Sequence, residues 1–148
     1  MRLPPLAYLL GFSGLIPFLA GPAWLCFAPQ SAPAWLDRVW LVYAGMIASF
    51  MAGTFWGMAL VVAEGVEGMV GMAMSGVLML LAWAAMLLPF RESLYALAIV
   101  FLLLVLAEIW RERTVDPLSG YLLLRSLLTL GVFIAFAWRL ALGGGALA

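Results

Sequence analysis

Five apolar stretches, each near or above the roughly 18 residues that mark a membrane-span candidate, divide almost the whole chain between them. They cover residues 6–27, 39–63, 68–88, 94–110 and 120–142, and the punctuation between them is short and rich in Pro, Gly and charge. Inside hydrocarbon a backbone must satisfy its own polar groups, and runs of this length do so as helices. The expected fold is all-α, a polytopic membrane helical bundle of about five transmembrane helices forming one integral-membrane domain over residues 1–148. Composition agrees: 68% of residues are hydrophobic, 9% are charged, and mean hydropathy is +1.18.

The first stretch follows Arg2 and so resembles a signal peptide, but it runs on too far and lacks a small-x-small cleavage site. We read it as a retained span. Pro17 lies inside it and supplies no amide hydrogen, so a kink is expected between Gly14 and Pro17, with a second bend at Gly21-Pro22. The connections are too small to hold a soluble domain. Residues 28–38, with two prolines, Trp35 and Asp37-Arg38, read as an interfacial loop, and Trp35 and Trp40 read as headgroup-level anchors. No internal repeat of the kind that advertises a secondary transporter is present.

Absent residue types narrow the chemistry. The chain has no His and no Lys, which removes Ser-His-Asp and Cys-His catalysis, lysine Schiff bases and His-ligated metals. Cys26 is single, so no intrachain disulfide or thiolate cluster forms. Seven Arg balance seven Asp and Glu, leaving neither a nucleic-acid footprint nor a polybasic lipid patch. Glu64 and Glu67 share a turn without a third ligand, and the Met-rich second and third stretches read as flexible packing. We expect no cofactor and no metal.

The second stretch carries the most patterned segment. Gly45, Ser49, Gly53 and Gly57 recur every four residues, with Ala44, Ala48 and Ala52 as an adjoining row. Small-xxx-small rows let helix backbones approach closely in lipid. One reading is a packing seam against the third stretch, where Gly71, Ser75 and Gly76 offer a matching surface. The other is a groove for a lipid, a quinone-like ring or a partner helix, with Thr54 and Trp56 as its polar and aromatic handles.

Residues 44–60, AGMIASFMAGTFWGMAL, resemble the second-helix motif of the domain of unknown function 3429 family of small bacterial and mitochondrial membrane proteins. GFSGLIPF at 11–18, LAWAAMLLP at 81–89 and GYLLLRSLLT at 120–129 are similar to other segments of that family, in the same order, and together cover most of the chain. The family's pattern has His before the motif's Trp, where this chain has Phe55, so a role needing that imidazole does not carry over. The resemblance implies an architecture and no activity.

Charge near the membrane leaves one candidate site. Thirteen uncharged residues separate Arg125 from Arg139, about 20 Å of helix against a hydrocarbon core of about 30 Å. Either both side chains snorkel toward opposite surfaces, or Arg125 turns inward and requires a partner. Glu108, in the last turn of the fourth stretch, is the best candidate for that buried ion pair, and Tyr121 and Thr129 share the helical face of Arg125.

These residues favour a structural or accessory subunit packing against other membrane proteins, as part of a complex or a homo-oligomer, over an enzyme. The alternative is a protein that binds or carries lipids or small hydrophobic molecules. Expected partners are membrane lipids and a protein, with no nucleic acid. The expected location is the bacterial inner membrane with the N terminus in the cytoplasm, from a four-to-three excess of Arg on that side.

Overall fold

A computed structural model describes residues 5–61, 65–114 and 121–143. Among these residues six α-helices follow one another: α1 (Pro5–Ser13), α2 (Leu15–Phe27), α3 (Leu36–Val61), α4 (Gly65–Met86), α5 (Phe90–Thr114) and α6 (Tyr121–Leu142), with a 3₁₀ turn at Pro29–Ser31. No strand occurs among the described residues. Together α1 and α2 make one span, Pro5–Phe27, and with α3 to α6 they give five helices long and apolar enough to cross a membrane. The chain is an integral membrane protein.

Two prolines explain how the first span is built. Gly14 interrupts it, its amide donating to the Leu10 carbonyl at 3.0 Å, and Pro17 has no amide with which to continue the ladder. The Tyr43 hydroxyl of α3 donates to the Gly14 carbonyl at 2.7 Å. One turn later Pro22 cannot donate to the Phe18 carbonyl, and the Trp40 indole N–H does so instead at 2.9 Å. Gly21 makes that possible: a Cβ there would lie 2.7 Å from the Trp40 ring. The helix is thus interrupted at Gly14, and at Pro22 it continues with its vacated acceptor filled from α3. Trp40 is buried in this role and is not an interfacial anchor, whereas Trp35 is exposed.

Short connections make successive spans antiparallel neighbours, and α2 closes the bundle by packing on both α3 and α6. Phe18 sits at the centre, edge-on to Tyr43, Phe101 and Phe136. Leu9, Ile16, Phe50, Leu80, Ile99 and Leu130 point outward, as befits helices whose solvent is lipid. At the turn between α4 and α5 the buried Ser93 hydroxyl lies within hydrogen-bonding distance of both the Ala85 and Leu88 carbonyls, capping the end of α4.

Three expectations are corrected. Helix α3 begins at Leu36 and α5 at Phe90, earlier than their apolar stretches suggest, because Asp37 and Glu92 sit in first turns, where the helix dipole favours carboxylates. The small-residue seam runs along Ala44, Ala48 and Ala52, all fully buried, and not along the glycine row. A four-residue step overshoots a full helical turn by about 40°, so a row that starts inside at Gly45 has rotated about 80° by Gly53 and about 120° by Gly57. Gly45 is buried against Met86 of α4, but a Cβ at Gly53 or Gly57 would meet nothing within 4 Å, and Trp56 is exposed. The same is true of a Cβ at Gly76.

Candidate functional site

Two buried arginines, both on α6, hold most of the bundle's internal polarity. Arg125 lies one turn into α6, and the antiparallel arrangement sets it beside the last turns of α3 and α5. Its Nη1 donates to the Thr54 hydroxyl oxygen at 3.0 Å and lies 3.7 Å from Glu108 Oε2. Its Nη2 is 3.5 Å from the Met51 carbonyl, and the guanidinium carbon stands 5.6 Å from the centre of the Phe55 ring. The Thr54 hydroxyl spends its own proton on the Met51 carbonyl at 2.7 Å, leaving a lone pair for the arginine. Glu108 is fully buried and Arg125 nearly so. The guanidinium thus lies inside the bundle, beside Glu108 and with Thr54 and Met51 as partners the sequence did not identify.

Beside this cluster a cleft of about 420 Å³ runs between the first span, α3 and α6. That volume falls within the range of ligand sites. Gly11, Gly14 and Phe18 form one wall, Ile47 and Met51 the second, Leu128 and Val132 the third, and Thr54 and Arg125 supply its polar side chains. Leu10 and Phe50 line it and are also exposed on the flank of the bundle, so the cleft opens sideways, toward lipid. From Leu124 to Val132 it extends about 12 Å along α6, polar near the end of the bundle and apolar toward the middle. Gly11 and Gly14 line it with backbone, Gly11 packing closely on Leu128 and Leu124, and α1 contributes no buried residue.

Arg139, in the last turn of α6, does not snorkel. It is 1% exposed, and Nε and Nη2 each donate to a different oxygen of Asp37 at 2.8 Å. Nη1 donates to the Gly143 carbonyl at 3.1 Å, and the guanidinium lies 5.2 Å from the Phe90 ring centre. This bidentate clasp joins the start of α3 to the end of α6. Sequence reading missed it because Asp37 adjoins a Pro- and Trp-rich segment that resembles an exposed loop. The available signal was topological: with five antiparallel spans, the beginning of the second and the end of the fifth share a surface.

Of the residues singled out in the sequence, the structure brings together Thr54, Glu108 and Arg125. Gly45 belongs to the α3–α4 packing, Ser49 is half-buried, and Gly53, Trp56 and Gly57 face outward on α3. Thr129 is buried one turn beyond Arg125 but does not line the cleft. Glu64 and the side chains of Glu67 and Tyr121 lie outside the described residues. Among the described residues no three His, Cys, Asp or Glu converge as metal ligands.

Comparison with known proteins gives a family and no further relative. The chain matches the family described as protein of unknown function (DUF3429) over residues 3–141, nearly its whole length, and belongs to that family. No curated protein and no solved structure is detectably similar to it.

Proposed function

We propose that the protein binds an amphiphilic molecule of the membrane in the cleft between its first span, α3 and α6. The observation that carries this reading is the pairing of a lateral, apolar cleft with one buried cation and one hydroxyl at the end nearest the bundle surface. A lipid-like molecule meets the same gradient in its own leaflet, head near the surface and tail toward the midplane. The cleft repeats that gradient within the protein, so an amphiphile enters sideways without turning over.

Extraction in a mild detergent, followed by native mass spectrometry and lipid analysis, tests this. The native protein should retain a bound amphiphile that Leu128→Trp, which fills the cleft, loses while keeping its helical circular dichroism. An identical lipid complement in both proteins would overturn the reading.

A second reading, an accessory subunit of a membrane complex, is supported by the outward-facing glycines of α3, where a Cβ at Gly53 or Gly57 meets nothing. Its test is a polypeptide that co-purifies with the native chain and is lost on Gly57→Leu. We place the protein in the bacterial inner membrane with its N terminus in the cytoplasm. Labelling of single cysteines at positions 31 and 119 tests the orientation, which reverses if position 31 proves cytoplasmic.

A further inference from the structure

We infer that the cleft takes one hydrocarbon chain, so that it selects amphiphiles with a single chain over lipids with two; this rests on the amphiphile-binding reading and names its substrate class. The first argument is size. An apolar cavity of about 150 Å³ holds one benzene, a molecule of six carbons. On that scale the cleft's volume of about 420 Å³ holds roughly sixteen carbons, which is one lipid chain and not a pair.

The second argument is length. The cleft extends about 12 Å along α6 between Leu124 and Val132, most of the roughly 15 Å that one leaflet contributes to the hydrocarbon core. At its apolar end it stops against Phe18 and Val132, both almost wholly buried. A chain lying in the cleft therefore keeps to the depth it already occupies in its own leaflet and ends against a closed wall.

The third argument is the origin of selectivity within a bilayer. Lipid tails are as apolar as leucine, so a chain moving from the bilayer into the cleft gains no hydrophobic energy, and what distinguishes one occupant from another is packing. A single chain exchanges its lipid neighbours for walls supplied by the first span, α3 and α6, with Leu15, Ile47 and Leu128 among them. The two chains of a diacyl lipid hang side by side from one backbone. Both together exceed the volume, and seating one forces the other away from it and out through the lateral mouth beside Leu10 and Phe50.

Monooleoyl and dioleoyl phosphatidylcholine share a head and a chain and differ in chain number, so they isolate this choice. Native mass spectrometry of the full chain in detergent, titrated with each lipid, gives the adducts formed, and the Leu128→Trp protein gives those that form away from the cleft. Ile47→Trp, on the opposite wall, takes that place if Leu128→Trp does not fold. The native chain should bind one cleft-specific monooleoyl molecule, about tenfold or more tighter than the dioleoyl lipid. Equal or tighter cleft-specific binding of the dioleoyl lipid, or two cleft-specific monooleoyl molecules per chain, would overturn the inference while leaving amphiphile binding intact. Adducts of both lipids that are the same in the native and tryptophan-filled proteins would overturn both.

Discussion

The two arginines of α6 stand about 21 Å apart along the same helix and are buried to a similar degree, yet they are held differently. Arg139 devotes two nitrogens to the two oxygens of Asp37, both at 2.8 Å, and it does not line the cleft. Arg125 divides itself among a hydroxyl, a backbone carbonyl and a carboxylate, and it lines a cleft. A planar guanidinium in bidentate contact with a carboxylate is the stronger and more specific arrangement. The difference teaches that burial of an arginine in a membrane bundle does not by itself mark a site. What would mark one is polarity that lines a space a molecule can enter.

The contrast is open to attack by mutation, and the largest effect is expected at the clasp. Asp37→Asn leaves Arg139 buried without its counter-charge, and loss of one partner of a buried pair typically costs about 3–5 kcal/mol. Thermal unfolding in detergent should show this as the steepest loss of any single substitution. Glu108→Gln should cost less, about 2–3 kcal/mol, because Arg125 keeps the Thr54 hydroxyl and the Met51 carbonyl. Arg125→Gln also destabilises, and adding Glu108→Gln to it should recover part of the loss, because the stranded carboxylate is then removed as well. A cost at Glu108 equal to or above that at Asp37 would erase the distinction between clasp and site.

A smaller effect sharpens the account of α3. Gly45→Leu must displace Met86 and should cost about 1–3 kcal/mol through overpacking. Gly53→Leu, where the added atoms meet nothing, should stay within about 0.5 kcal/mol. Similar losses for both would return the seam to the glycine row.

A last pair of effects compares the two hydrogen bonds by which α3 holds the first span. Trp40→Phe leaves the buried Phe18 carbonyl without its donor and should cost about 1–3 kcal/mol. Tyr43→Phe releases the Gly14 carbonyl beside the cleft and should cost about 1 kcal/mol. Lipid analysis of the purified variants should show retention of the bound amphiphile reduced by Tyr43→Phe and unaffected by Trp40→Phe, because Gly14 lines the cleft and Trp40 does not.

Much of this architecture is legible before any coordinates. Apolar length fixes five helices, Pro17 announces the break at Gly14, and the short interval between the arginines forces the question of where Arg125 goes. The answer, Glu108, follows because a short connection places the end of α5 beside the start of α6. Two things are hidden for physical reasons. Ala44, Ala48 and Ala52 are nearly as small as the glycine row but less conspicuous, and which row faces inward depends on a 3.6-residue turn acting on a four-residue pattern. The cleft is hidden because it is an absence, a space left between the first span, α3 and α6 that residues distant in the chain line together. No local motif encodes such a gap.

Photo-crosslinking tests the central claim most directly, with photoleucine placed either at Leu128, inside the cleft, or at Leu130, which is exposed on the outer face of the same helix. After irradiation in native membranes, position 128 should capture one class of amphiphile enriched far above its share of the bilayer. Position 130 should capture bulk lipid in bilayer proportions. The same unselected lipid mixture at both positions would contradict the account and leave Arg125, like Arg139, a purely structural charge.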